Sequence, residues 1–175
     1  RSMHPCGRIP DAGRRQIETL LENYVDSMQA VKIGRGHFFF VPRDFAARLQ
    51  VFEDFVEMLE EHNQLKRPDR DPLEVNSIYV VDDAKQRKKM TAAFYRSVRR
   101  EIAEYEERVT NLIQSGSQSP KIMDRWVMRI QGLEQKKRNY ENILKRELTD
   151  LDEEFTSLRY LSDELRIRAA GLRAA

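Results

Sequence analysis

Apolar residues step through the C-terminal part of this chain at alternating gaps of three and four. In a first run they are Phe94, Val98, Ile102, Tyr105, Val109 and Leu112. In a second they are Met123, Trp126, Ile130, Leu133, Tyr140, Leu144, Leu148, Leu151, Phe155, Leu158 and Leu165. This spacing places a narrow apolar seam on each of two long helices, over 84–115 and 119–172, in the manner of a coiled coil. Gly116-Ser117-Gln118-Ser119-Pro120 separates them. Ser119 as N-cap with Pro120 at the first helical position marks the start of the second arm. At 1.5 Å per residue the arms are roughly 45 and 75 Å long. Folded antiparallel about Gly116, they bring Phe94 level with Tyr140 and leave everything after Leu151 overhanging. Lys137 interrupts the seam between Leu133 and Tyr140. It reads as a stem laid along the seam with its ammonium in water, and alternatively as a residue that sets register.

The N-terminal part alternates differently. Residues 1–12 read as a flexible lead-in. A helix follows over 13–28, with Ile17, Leu20, Leu21, Tyr24, Val25 and Met28 on one face and Asp11 as its N-cap. Ala30 to Ile33 and His37 to Val41 are strand-prone, and Gly34-Arg35-Gly36 between them is a hairpin turn. Asp44 to Leu65 is an amphipathic helix, with Phe45, Leu49, Phe52, Phe55, Val56 and Leu59 facing one way. Ser77 to Val81 reads as a third strand, and Asp82-Asp83 as the cap of the first long helix. The expected fold is therefore α+β and mainly α. A small module over 13–83 (helix, hairpin, helix, strand) is attached to a long antiparallel helical hairpin over 84–175.

Composition narrows the function classes. The chain has 175 residues, of which 34% are charged and 9% aromatic, with a net charge of only +2. Overall charge therefore predicts no nucleic-acid partner, and local charge must be read instead. A single cysteine, Cys6, excludes an internal disulfide and suits a reducing compartment. No apolar run approaches the ~20 residues of a membrane span, so the expected location is cytoplasmic. Arg1-Ser2 ahead of Met3 reads as a remnant added to the chain or as the start of a piece of a longer one.

Little in the sequence suggests catalysis. His4 and Cys6 would make half of a metal site, but no second pair matches them. Asp82-Asp83, Glu60-Glu61 and Glu153-Glu154 are consecutive, and neighbours on a helix do not face each other. There is no phosphate-binding glycine loop, nucleophile elbow or Ser/His/Asp order. The expectation is no enzyme, no cofactor, no metal and no small-molecule substrate.

Two features remain. The first is the overhang, where Phe155, Leu158, Leu161, Leu165 and Ile167 continue the stripe beyond the shorter arm, the first four of them as the candidate interface. Five such side chains are worth about 1.5–3 kcal/mol each on burial, so they require cover, from the small module or from another chain. The leading expectation is an assembly protein whose helical arm binds itself or a partner protein. The second feature is basic. Lys85, Arg87, Lys88 and Lys89, continued by Arg96, Arg99 and Arg100, crowd the start of a helix, where the macrodipole disfavours cations. Arg14, Arg15, Lys32, Arg35 and Arg43 form a second set. The alternative is a nucleic-acid-binding protein with Lys85, Lys88, Lys89, Arg96, Arg35 and Arg43 on phosphates.

Ala30-Val31-Lys32, then Gly36-His37-Phe38-Phe39-Phe40-Val41-Pro42, and later Val80-Val81-Asp82-Asp83 resemble an uncharacterised family found in phages and bacteria. Its mark is a Gly-Gly-x-Tyr-Phe-Val-Pro stretch after an Arg-rich helix. This chain departs from it at His37 and Phe39. The resemblance implies an arrangement of elements and a phage or mobile-element origin, but no mechanism and no functional residues. It opens a third reading, an inhibitor or decoy of a host protein.

Overall fold

A computed structural model describes residues 14–66, 68–69 and 71–174. The described residues are mainly helical, with five α-helices and one two-stranded antiparallel sheet among them. The chain divides into two units. The first takes the described residues up to Ala30 together with Val41–Asn76, and the second takes Val31–Phe40 and Ser77–Ala175. The hairpin thus groups with the long helices rather than with the helices on either side of it in sequence. Asp11, His4 and Cys6 lie outside the described residues.

The first unit holds α1 (Arg14–Ser27) and α2 (Ala46–Lys66), the latter entered through a single 3-10 turn at Arg43–Phe45. Both helices follow the sequence periodicity. Phe52 on α2 stacks on Tyr24 of α1 with ring centroids 5.7 Å apart. The Arg48 guanidinium lies 5.3 Å over the same tyrosine, whose hydroxyl donates to the Arg48 carbonyl at 3.0 Å. Val56 is buried, while Phe45, Leu49, Phe55 and Leu59 are half-buried on the expected face. Beyond α2, the Leu73 N–H donates to Glu60 Oε2 at 2.8 Å, which holds that carboxyl below its ordinary pKa.

In the second unit, β1 (Val31–Lys32) pairs antiparallel with β2 (Phe39–Phe40), Val31 opposite Phe40 and Lys32 opposite Phe39. The turn uses Gly34 and Gly36 at φ of 65° and 93°, as the glycine pair predicts. The third expected strand does not form. Ser77–Val81 has no regular structure and is exposed, with Ile78 at 86% and Tyr79 at 93%. Strand propensity reports how well side chains fit a pleated, half-buried surface, and no described edge pairs with this segment.

Three helices make up the rest. The segment α3 (Ala84–Gln114) is capped as expected, with Asp83 Oδ1 accepting from the Gln86 N–H at 2.7 Å. Gly116 reverses the chain at φ 65°. Helix α4 (Pro120–Leu144) opens with proline in its first turn, although the Ser119 side chain makes no capping bond. It does not continue to residue 172. It ends at Lys145, which adopts the left-handed conformation at φ 54°, and after a 3-10 turn at Thr149–Leu151 the chain enters α5 (Asp152–Ala174).

Cross-helix contacts fix the directions. Phe94 meets Tyr140 at 4.6 Å and Tyr105 meets Trp126 at 5.4 Å, so α3 and α4 are antiparallel. Lys137 bonds Asp152 at 2.7 Å, Arg159 bonds Glu134 at 2.6 Å and Arg173 bonds Asp124, so α5 runs back along α4. One core joins Phe94, Val98 and Ile102 to Ile130, Tyr140 and Leu144, and to Leu151, Phe155, Leu158 and Leu165. The expected overhang is therefore a third helix that closes on the other two.

Candidate anion-binding surface

The residues expected to form an exposed protein interface lie in this core. Phe155 is 1% exposed, Leu158 and Leu165 are fully buried, and Leu161 is half-buried against the same cluster. Their cover comes from α3 and α4 of the same chain, which corrects the expectation that a module or a second chain must supply it. Once α4 ends at Lys145, the rest of the stripe is carried back onto the seam it had been expected to extend.

The basic residues of α3 are placed differently. Lys85, Lys88, Lys89, Arg96, Arg99 and Arg100 are all exposed. Positions 85, 89, 96 and 100 recur at four, seven and four and share one helix face, with 88 and 99 beside it. From Lys85 to Arg100 the stripe is about 22 Å long. Arg99 is neutralised by Glu154 at 3.4 Å and also donates to the Asp150 carbonyl at 3.3 Å. Among the described residues no carboxylate pairs with Lys85, Lys88, Lys89, Arg96 or Arg100. Three of these five sit in the first two turns of α3, where the exposed N–H groups already carry partial positive charge.

Next to this stripe lies an open cleft of about 630 Å³ between the start of α3 and the end of α4. Arg87, Lys88 and Thr91 line it from α3, and Lys145, Arg146 and Glu147 from the turn after α4. Thr91 Oγ1 is committed to the Arg87 carbonyl at 2.8 Å. Asp82 holds two of the cations, Arg87 at 3.1 Å and Lys145 at 3.5 Å. Arg87 Nη1 still lacks an aligned acceptor, and Lys88 and Arg146 have no ion-pair partner among the described residues. The left-handed turn at Lys145 brings its neighbour Arg146 to this cleft. Sequence reading missed this half of the surface because it ran α4 straight through the turn.

The second basic set is divided between the two units. Arg35 is exposed on the hairpin turn and Lys32 is half-buried on β1, both in the helical unit. Arg43 belongs to the first unit, in the 3-10 turn before α2. His37 and His62 fall in different units, and among the described residues no cluster of three or more His, Cys, Asp or Glu side chains could hold a metal. No helix of the described residues is long and apolar enough to cross a membrane.

Comparison with known proteins places the chain in one family. The chain belongs to DUF6744, a family of unknown function, whose profile matches residues 9–171. No curated protein and no solved structure matches it.

Proposed function

We propose that this DUF6744 protein is a non-enzymatic binding protein that docks the phosphate backbone of a nucleic acid on the cationic face of α3. One observation carries the reading. Five exposed cations share the start and one side of a single helix, and no carboxylate of the described chain neutralises them. Clustering like charges at a helix N-terminus costs some tenths of a kcal/mol per residue. A polyanion offsets that cost and releases its own condensed counterions in doing so. The stripe of about 22 Å matches roughly six base-pair steps at ~3.4 Å each. The cleft at its end, with Lys88, Lys145 and Arg146, extends the same field.

Phosphate contacts of this kind give register and affinity without sequence readout. The partner is therefore defined by its charge spacing rather than by its sequence. Assembly through the long apolar seam, the leading expectation from sequence, has lost its free surface, because α5 covers that seam from within.

The test is fluorescence anisotropy with labelled single- and double-stranded DNA and RNA at low and moderate salt. Micromolar or tighter binding that weakens steeply with salt supports the reading. Absence of binding at low salt rejects it.

A further inference from the structure

The cleft between the start of α3 and the end of α4 differs in geometry from the cationic stripe. Ala84, Arg87, Lys88 and Thr91 line one wall. Their spacing of three and four puts them on a different face of α3 from 85, 89, 96 and 100. Lys88 stands at the border of the two. Lys145, Arg146 and Glu147 form the other wall, and their turn is held in place. The Glu141 carbonyl accepts the N–H groups of Lys145 and Arg146, the latter at 3.2 Å, and Glu141 Oε1 accepts the Leu148 N–H at 3.0 Å. Leu144 and Leu148, on either side of the turn, are buried. A cation presented by a fixed turn loses little freedom when it meets a ligand. At about 630 Å³ the cleft is of the size of small-ligand sites, roughly 300–1,000 Å³.

Charge then narrows the ligand. Four cations line the cleft, Arg87, Lys88, Lys145 and Arg146, against Glu147 on its wall and Asp82 beside it. Asp82 engages Arg87 and Lys145, while Lys88 and Arg146 have no ion-pair partner among the described residues. Arg87 Nη1 is buried without an aligned acceptor. The cleft therefore carries an excess of two positive charges. An internal phosphodiester brings one negative charge. A terminal phosphomonoester brings close to two, with three strong acceptor oxygens. Two guanidinium groups suit it, because each can present paired N–H donors to a phosphate. We infer that the cleft is a phosphomonoester site, which holds the terminal phosphate of a strand whose backbone lies on the stripe. A continuous backbone on the stripe passes the cleft by, whereas a strand end can turn into it past Lys88. The inference rests on the nucleic-acid reading and adds to it a preference for phosphorylated ends.

The experiment is anisotropy with a short, internally labelled DNA duplex that carries phosphate or hydroxyl at its 5′ ends, and a second pair that differs at the 3′ ends. It uses the full chain and Arg146→Gln. Arg146 is exposed and the variant keeps its backbone N–H, so helix content by circular dichroism should be unchanged. For the wild type, phosphate at one kind of end should tighten binding roughly tenfold or more, the worth of one added hydrogen bond to a charged group. Arg146→Gln should lose that gain and bind the hydroxyl-ended duplex nearly as well as the wild type does. Equal wild-type affinity for phosphate and hydroxyl ends overturns the inference and leaves the stripe reading intact, whereas no binding by any duplex overturns both. An Arg146→Gln protein that keeps the full gain also overturns it. A labelled nucleoside monophosphate that binds as tightly as the phosphorylated duplex would make a free nucleotide the ligand and overturn the assignment to a strand end.

Discussion

Lys137 interrupts an apolar seam, and its surroundings show how a charge is accommodated there. The ammonium is 2.7 Å from Asp152 and 3.5 Å from Glu141, and it lies 5.6 Å over the Phe155 ring. It ties the end of α4 to the start of α5. Burial works against its charge, but the hydrogen bond to Asp152 and the charges of Glu141 and Asp152 outweigh that and raise its pKa. Burial likewise pushes the Tyr140 phenol up. In the unfolded chain both groups titrate at about pH 10. The folded protein keeps both protons longer, so their contribution is full below that pH and is lost progressively as pH climbs from there towards the raised folded values. Urea unfolding should show constant stability up to about pH 9 and a fall beyond about pH 10. A fall that begins well below pH 9 would contradict these assignments. Leu158 gives a second prediction at this scale. It is fully buried, so Leu158→Asp should cost about 4 kcal/mol or more. Circular dichroism should show lost helix and a much lower melting temperature. A folded Leu158→Asp protein with an unchanged melt would place this residue at the surface instead.

At the scale of elements, the two chain reversals are opposite tests of one rule. Gly116 and Lys145 both adopt the left-handed conformation, at φ of 65° and 54°. A side chain at Gly116 would meet no atom within 4 Å, so Gly116→Ala should cost only the conformational penalty, about 1 kcal/mol. Lys145→Gly should gain a similar amount, because the exposed ion pair to Asp82 that it gives up is worth little. Denaturant midpoints should move in opposite directions. If they move together, the two turns are not built alike.

The same pair explains what was legible in the sequence. Gly116 with Pro120 announced the first reversal. The second falls in Lys-Arg-Glu-Leu-Thr-Asp-Leu, which has neither glycine nor proline. The apolar stripe runs on through Leu144, Leu148, Leu151 and Phe155 across the break. The remaining signal was electrostatic, three acids in the first turn of α5, Asp152, Glu153 and Glu154. The helices α1, α2 and α3, the Asp83 cap and the hairpin turn were all readable from period and turn chemistry. The third strand was not, because its pairing depends on an edge that local sequence does not contain.

For the whole molecule, the fold converts an amphipathic sequence into a closed core and an unbalanced surface. Once α5 covers the seam, the apolar faces of α3, α4 and α5 have partners within the chain, while Lys85, Lys88, Lys89, Arg96 and Arg100 of α3 have no carboxylate partner among the described residues. Lys85, Lys88, Lys89 and Arg96 were visible as candidates because they crowd a predicted helix start. Lys145 and Arg146 were not, since only the turn after α4 brings them to the same cleft. The slope of binding against salt tests the role of that surface most directly. With a labelled DNA duplex, log affinity should fall linearly with log salt concentration. Lys88→Glu with Lys89→Glu should weaken binding and reduce the slope by about two, with melting not lowered, because both side chains are exposed and acids suit a helix start. Equal affinity and equal slope for the variant and the wild type would show that the cationic face of α3 is not where this protein meets its partner.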